Sequence, residues 1–333
     1  MKILVLTEKE MKQAFDMSKA IQADKDAMSA YSEGACNIPL RTNLDIPEYE
    51  GQSLYMEGYA PDAKALGVKI VSVYPNNIEK GLTSVPATMV LLNAETGEVS
   101  AIMDGTYLTR LRTGALSGAA TDLLAREDVK VFALFGTGGQ AETQLEAVLT
   151  ARPSIEEVRV FDLSTERAEQ FATRMTERFG EKFNVTIKSA GSADEAIENA
   201  DVITSVTTSK KATFDGNKVK EGAHVNGVGS YTPLMAEIDE ALILRADKIY
   251  CDTKDALVES GDITQPIEAG KFSLDDVTGE LGDMINGKIK GRESDDEITY
   301  FETTGNAIFD LVTAQRIYEE AIKQDIGSYI TFE

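Results

Sequence analysis

The stretch Val131-Phe132-Ala133-Leu134-Phe135-Gly136-Thr137-Gly138-Gly139-Gln140-Ala141 decides the fold. Five apolar residues in a row suit a strand buried on both faces, as in a parallel sheet. The turn that follows reads Gly-x-Gly-x-x-Ala and opens a helical pattern from Gln140 to Thr150. Such a turn lets the backbone come close to a pyrophosphate, whose charge then meets the positive end of the helix. Glycine-rich strings are common; the strand before this one, the helix after it and Asp162 at the end of the second strand supply the context. Asp162 is suited to accept hydrogen bonds from an adenosine ribose, and its charge repels a 2′-phosphate. Leu163-Ser164 offer no cation for one, so NAD(H) is favoured over NADP(H), with Arg167 one helical turn later opposing that preference.

Working outward, strand and helix alternate from residue 130. Strands are expected over residues 130–135, 157–161, 184–187, 201–206, 224–228 and 248–251. Helices are expected over 140–150, 165–179 and 193–199, the last begun by the box Ser192-Ala193-Asp194-Glu195. This order implies an α/β protein with a Rossmann, doubly wound parallel sheet. A loop-rich acidic stretch follows over 279–297. On the other side, Thr7-Glu8-Lys9-Glu10 reads as a capping box opening a helical region to about Gly34. A β-rich part comes next, with strands near 67–73, 87–93 and 98–103, the last two joined at Glu95-Thr96-Gly97. Residues 111–125 form a helix bridging to the sheet domain, and the chain ends in an amphipathic helix over about 306–323 and a strand-like tail. The terminal helix packs back on the N-terminal part in this reading. That makes a discontinuous α+β domain of 1–118 and 306–333 around a Rossmann domain of 119–305.

The 333 residues are more than twice the ~150 typical of one domain. With 42% apolar and 27% charged residues the chain is neither disordered nor fibrous. Its net charge of −23 repels phosphate backbones and anionic headgroups, which argues against nucleic-acid and membrane-surface partners. No apolar run approaches the ~20 residues of a bilayer span, and the opening Met1–Thr7 is too short for a signal sequence. Cys36 and Cys251 have no metal spacing and fit a reducing compartment, so a cytoplasmic location and no metal are expected. The single histidine, His224, begins a strand with no nucleophile motif near it, and is expected to be structural.

In so acidic a chain, Arg41, Lys69 and Arg112 stand out. Lys69 sits inside the apolar run Val68-Lys69-Ile70-Val71, where a buried ammonium is costly unless paired or altered in pKa. Arg41 follows Ile38-Pro39-Leu40 and Arg112 opens the alanine-rich helix; from spacing alone, ordinary salt bridges account for both equally well.

Gly67-Val68-Lys69, Tyr74-Pro75-Asn76-Asn77, Gly81-Leu82 and Tyr107-Leu108-Thr109-Arg110-Leu111-Arg112-Thr113-Gly114-Ala115 resemble the ornithine cyclodeaminase/μ-crystallin family. The segments 136–141, 222–230 and 297–305 continue the resemblance in order over nearly the whole chain. It implies a homodimer built through the N-terminal, substrate-binding domain and a nicotinamide nucleotide on the Rossmann domain. It also implies that Arg41, Lys69 and Arg112 bind a substrate α-carboxylate, with Thr304 near the substrate. Ser84, Arg112, Thr113, Gly139, Gln140, Asp162, Thr207, Val228, Gly229 and Thr303 would line the cofactor, beside Gly136, Gly138 and Ala141 of the turn.

One departure bears on the reaction. The family's cyclodeaminases carry an aspartate base where this chain has Tyr231, in Gly229-Ser230-Tyr231-Thr232-Pro233. A phenol, with a reference pKa of about 10, is a poor base at neutral pH but can donate a proton or hydrogen bond. This segment, Glu259-Ser260-Gly261-Asp262 and 291–297 look like the family's imine (ketimine) reductases. The resemblance therefore implies NAD(P)H-dependent reduction of a cyclic imino acid such as Δ1-pyrroline-2-carboxylate to a cyclic amino acid such as proline. Lys69 and Tyr231 are the candidate catalytic residues. The alternatives are cyclisation of ornithine to proline and ammonia, alanine dehydrogenase-like oxidation, and non-catalytic nucleotide binding like that of μ-crystallin.

Overall fold

The computed structural model describes residues 1–332, which divide into two compact units. One comprises Met1–Arg112 and the chain from Asn306 onward; the other is Thr113–Gly305. In chain order the first contains β1 (Lys2–Leu6), α1 (Glu8–Ala14), α2 (Met17–Ser32), β2 (Thr42–Ile46), β3 (Gly51–Ala60), β4 (Ala65–Val73), β5 (Ala87–Leu92) and β6 (Val99–Asp104). Helix α3 (Gly105–Leu124) contains the boundary between the units. Then come β7 (Val131–Phe135), α4 (Ala141–Ala151), β8 (Glu157–Phe161), α5 (Thr165–Met175), β9 (Thr186–Ser189), β10 (Val202–Ser205), β11 (His224–Gly227), β12 (Lys248–Cys251), β13 (Gly279–Glu280) and β14 (Thr299–Glu302). The C-terminal helix (Ala307–Lys323) and β15 (Ser328–Thr331) return to the first unit.

Among the described residues, seven strands of the first unit form one sheet in the order β15-β1-β6-β5-β4-β3-β2. On β4 the two-residue period buries Ala65, Gly67, Lys69 and Val71 and leaves Leu66, Val68, Ile70 and Ser72 on the other, more open face. The C-terminal helix packs on the buried face against β3 and β4 and also touches α2. Thr313 on that helix donates to Asp24 on α2 at 3.2 Å. Gly97, with φ +75°, closes the β5–β6 hairpin where Glu95-Thr96-Gly97 was expected to turn.

The helical region expected to run unbroken to Gly34 is two helices. The chain breaks at Phe15, and Asp16 restarts it by accepting from the Lys19 backbone N–H at 2.9 Å. Helix α3 starts at Gly105, earlier than expected, because Asp104 accepts from the Tyr107 N–H at 2.9 Å. Gly105 also lies so close to β5 that a Cβ would fall 2.6 Å from the Thr88 backbone nitrogen.

The second unit holds an all-parallel sheet ordered β13-β12-β14-β11-β10-β7-β8-β9 among the described residues, the Rossmann-type sheet expected. The order reverses at β7, with β8 and β9 on one side and β10 on the other. Ligands of such sheets bind at the carboxyl ends of the strands flanking this reversal, where Gly136 begins. The sequence reading missed β14, which inserts between β11 and β12 although it comes after both in the chain.

His224 is fully buried on β11. Its ring nitrogens meet Thr299 Oγ1 at 2.9 Å and Asn226 Oδ1 at 3.0 Å, and Asn226 donates to Thr121 and Thr204 at 3.2 Å. Burial, with Arg292 nearby, pushes its pKa down to about 3. The folded His224 therefore stays neutral while the unfolded one takes a proton near pH 6.5, so this group lowers stability as pH falls from about 6.5 toward 3. Replacing it by alanine is expected to cost ~2–4 kcal/mol in urea unfolding at pH 7. Below pH 6.5 the wild type should lose stability faster than the variant, by up to ~1.4 kcal/mol per pH unit.

Candidate active site

In the first unit the sheet and the C-terminal helix enclose a charged cluster. Lys69 is 1% exposed, and among the described residues it pairs with Asp310 of the C-terminal helix, with Nζ 2.5 Å from Oδ2. Arg112, 6% exposed on α3, gives its Nε to the other oxygen of the same carboxylate at 2.9 Å. Asp310 itself is 0% exposed. One buried carboxylate thus holds two buried cations, leaving the two terminal nitrogens of Arg112 and two N–H groups of Lys69 without an acceptor among the described residues. Burial lowers the Lys69 pKa to about 8; Asp310 opposes that, while Arg112 and Arg41 reinforce it. Arg41 is therefore near enough to act on the same ammonium. Ser84, in the same unit, receives the Tyr74 N–H on its carbonyl at 2.8 Å.

In the second unit the turn after β7 has the geometry of a nucleotide cradle. Gly136 has φ +95°, and a Cβ there would lie 2.8 Å from the Val206 carbonyl, so only glycine fits. Gly138 and Gly139 are exposed, with open space where a side chain would go. No side chain caps helix α4 at Gln140, and Gln140 Oε1 is buried without a partner. Open backbone and an uncapped helix start fit a pyrophosphate-bearing nucleotide. Asp162 accepts from Thr137 Oγ1 at 2.7 Å, from the Ser164 N–H at 2.9 Å and from Arg167 Nη2 at 2.7 Å. These bonds hold its carboxyl below the usual range against the opposing effect of burial. Arg167 itself remains two-thirds exposed.

The ends of β10 and β11 are tied by a residue the sequence reading missed. Glu237, 1% exposed, accepts five hydrogen bonds. Ser205 Oγ, the Thr207 N–H and Thr207 Oγ1 donate to one oxygen at 2.9, 2.7 and 2.8 Å; the N–H groups of Val228 and Gly229 donate to the other at 3.1 and 2.5 Å. Three expected cofactor residues, Thr207, Val228 and Gly229, are thereby joined. A Cβ on Gly229 would lie 2.0 Å from the Thr207 carbonyl, so its lack of a side chain serves this packing. Glu237 and Ile238 donate their N–H groups to Asp262 Oδ1 at 2.7 and 3.0 Å, while Asp262 Oδ2 has no partner. Burial pushes both carboxyls up, Asp262 to about 8. With five donors aimed at it, Glu237 is the carboxylate of the pair and Asp262 the one that holds a proton at neutral pH.

The remaining expected residues of this unit are placed singly. Thr113 accepts on its carbonyl from Gln144 at 3.0 Å, Thr303 donates to Asp252, and Thr304 donates to Glu259 at 3.0 Å. Tyr231 follows β11 in a loop and is 43% exposed. Neither Asp310 nor Glu237 lies in a turn or glycine motif. The signal available for Asp310 was an acidic residue in the most apolar stretch of the final helix, Ala307-Ile308-Phe309-Asp310-Leu311-Val312. Glu237 carried none.

Residues 1–325 match the model of the ornithine cyclodeaminase/mu-crystallin family. The chain is 37% identical over 331 residues to a Δ1-pyrroline-2-carboxylate reductase of Bacillus cereus, covering 99% of this chain and 100% of that protein. The solved structure of the Thermococcus litoralis Δ1-pyrroline-2-carboxylate reductase, in complex with NADH and L-proline, superposes with a TM-score of 0.92 at 37% identity, covering 98% of this chain and 99% of that one. An archaeal alanine dehydrogenase dimer with bound NAD aligns with a TM-score of 0.89 at 35% identity over the full length of both chains. The chain belongs to the ornithine cyclodeaminase/mu-crystallin family.

Proposed function

We propose that this protein is an NAD(P)H-dependent imine reductase that converts Δ1-pyrroline-2-carboxylate to L-proline. The observation that carries the reading is the pair Lys69 and Arg112, buried on one carboxylate with donors to spare. Two cations against one Asp310, with Arg41 nearby, leave an excess positive charge that a substrate carboxylate can neutralise. The terminal nitrogens of Arg112 suit a two-point bond to it. The chain's relatives with 37% identity include reductases of this imine.

Reduction of C=N requires a hydride at carbon and a proton at nitrogen. Residues 136–141 and Asp162 would hold a nicotinamide nucleotide, which would supply the hydride. Lys69 supplies the proton: with its pKa lowered to about 8 it is charged at neutral pH yet releases a proton far more readily than an exposed lysine. Tyr231 fits this direction better than cyclodeamination, which needs a base where the chain has an exposed phenol. Holding the carboxylate on Arg41, Lys69 and Arg112 fixes the imine carbon and nitrogen relative to the proton donor.

NADH is the preferred cofactor in this reading, because the carboxylate of Asp162, held in its ionised form, would repel a 2′-phosphate. Two chains pair through the open face of the first sheet, where Val5, Ile70, Pro86 and Ile102 line a depression of about 580 Å³. Cys36 and Cys251, both free thiols, suit a cytoplasmic location. No helix among the described residues is long and apolar enough to cross a membrane.

The purified protein is expected to oxidise NADH on addition of Δ1-pyrroline-2-carboxylate, with kcat/KM falling above about pH 8 as Lys69 loses its proton. Lys69→Ala should lower kcat/KM by about 10³-fold. Absence of NADH or NADPH oxidation with any five- or six-membered cyclic imine, or steady ammonia release from ornithine with catalytic NAD, would overturn the assignment. Replacing Asp162 by serine removes the repulsive carboxylate and frees Arg167, so the ratio of kcat/KM for NADPH over NADH should rise at least tenfold. An unchanged ratio would show that Asp162 does not read the ribose.

A further inference from the structure

Among the described residues, Asp310 is the hydrogen-bond partner of both Lys69 and Arg112 and lies on a different element from either. Its two oxygens are divided between them: Oδ2 to Lys69 Nζ at 2.5 Å, Oδ1 to Arg112 Nε at 2.9 Å. The Nε bond leaves the Nη pair, the two-pronged end of the guanidinium, available. A carboxylate so placed fixes the ammonium and the guanidinium relative to each other, since neither can move without breaking a charge-assisted bond in a site closed to water.

We infer that Asp310 is a positioning residue of the reductase site, a buried counter-charge that anchors Lys69 and Arg112 from one side and leaves their other donors to the substrate carboxylate. The inference rests on the reductase reading for its kinetic consequence, but not for its electrostatic one. The charged groups acting on Lys69 are Asp310, Arg112 and Arg41, two cations and one anion. Deleting the anion leaves Lys69 and Arg112 facing each other without the carboxylate they share, and the ammonium, which of the two gives up its proton the more readily, loses it at lower pH. A lysine that has lost its proton neither binds a carboxylate nor donates a proton to an imine. The order of effects is fixed: lost charge on Lys69, then lost substrate binding and turnover, with the nucleotide site untouched.

Asp310→Asn keeps the shape of the side chain and removes the charge. In protein labelled with ¹³C at lysine Cε, with the Lys69 signal assigned from Lys69→Arg, the Lys69 titration midpoint should drop by about one pH unit or more. The descending limb of kcat/KM should move down with it, and turnover at pH 8 should fall at least tenfold, while the NADH dissociation constant stays within about threefold. Asp310→Glu keeps the charge but displaces it; here the midpoint should stay near the wild-type value while kcat/KM falls. A midpoint unmoved in Asp310→Asn, or lowered equally in both variants, overturns the inference. If Asp310→Asn does not fold, the midpoint in Asp310→Glu decides alone, a wild-type value sustaining the inference and a lowered one overturning it. If the wild type reduces no imine but the midpoint still drops in Asp310→Asn alone, the reductase reading fails and the anchoring role stands.

Discussion

An ammonium group cannot sit charged in a protein interior unless an opposite charge reaches it, because withdrawing it from water costs several kcal/mol. Lys69, on a central strand of the first sheet and 1% exposed, imposes that requirement on the whole of its unit. The strands next to β4 supply Met56 and Met89 opposite Lys69, both apolar and buried. The compensating carboxylate comes from Asp310, 241 residues away in sequence. The C-terminal helix must therefore lie on the sheet with its Asp310 face inward. Its buried row, Ile308, Leu311, Val312 and Ala314, supplies the apolar area that holds it there. The discontinuity of this unit and its buried charge cluster are one constraint seen twice.

That constraint also accounts for what the sequence disclosed. The turn 136–141 was legible because it is local: a continuous apolar strand, glycines where the backbone must turn or open, and a helix start within eleven residues. Lys69 was legible because a lysine among valines and isoleucines violates the local pattern. Arg112 was ambiguous by spacing and became meaningful only through the family's segment around it. Asp310 and Glu237 were not legible, since each acts through partners far away in the chain and neither breaks a pattern strongly enough to announce itself.

The same distinction runs through the fold. Strands β7, β8, β10, β11 and β12 follow directly from apolar runs between turns. Strand β14, Thr299-Tyr300-Phe301-Glu302, places a threonine and a glutamate in the centre of a buried sheet, where Thr299 meets His224 and Glu302 meets Tyr300. Its strand character lies in those pairings, which periodicity does not encode. Strand β3 hides likewise: Gly51-Gln52-Ser53-Leu54-Tyr55-Met56-Glu57-Gly58 has weak alternation, and Gly58 is required by Ile38 and Leu311, whose side chains would lie within 2.8 Å of a Cβ. Hydrogen-bonded neighbours and the C-terminal helix make it a strand, not its own composition.

Net charge is a poor guide to a binding site for a related reason. The chain carries −23, and a surface with that excess turns polyanions away over distances comparable to the Debye length, ~10 Å at moderate salt. Around the buried Lys69, Arg112 and Asp310 screening is weak, and the local sum of these three charges decides the field. That sum is positive. In the second unit two buried acids lie together, and Glu237 is charged because five donors are directed at it, whereas Asp262 gains two and keeps its proton. What selects the protonation state in each case is the count and geometry of immediate partners. In the proposed function, a small carboxylate is repelled by the surface and attracted where Lys69 and Arg112 have donors left unpaired. In that reading such an arrangement favours a compact carboxylate over larger polyanions.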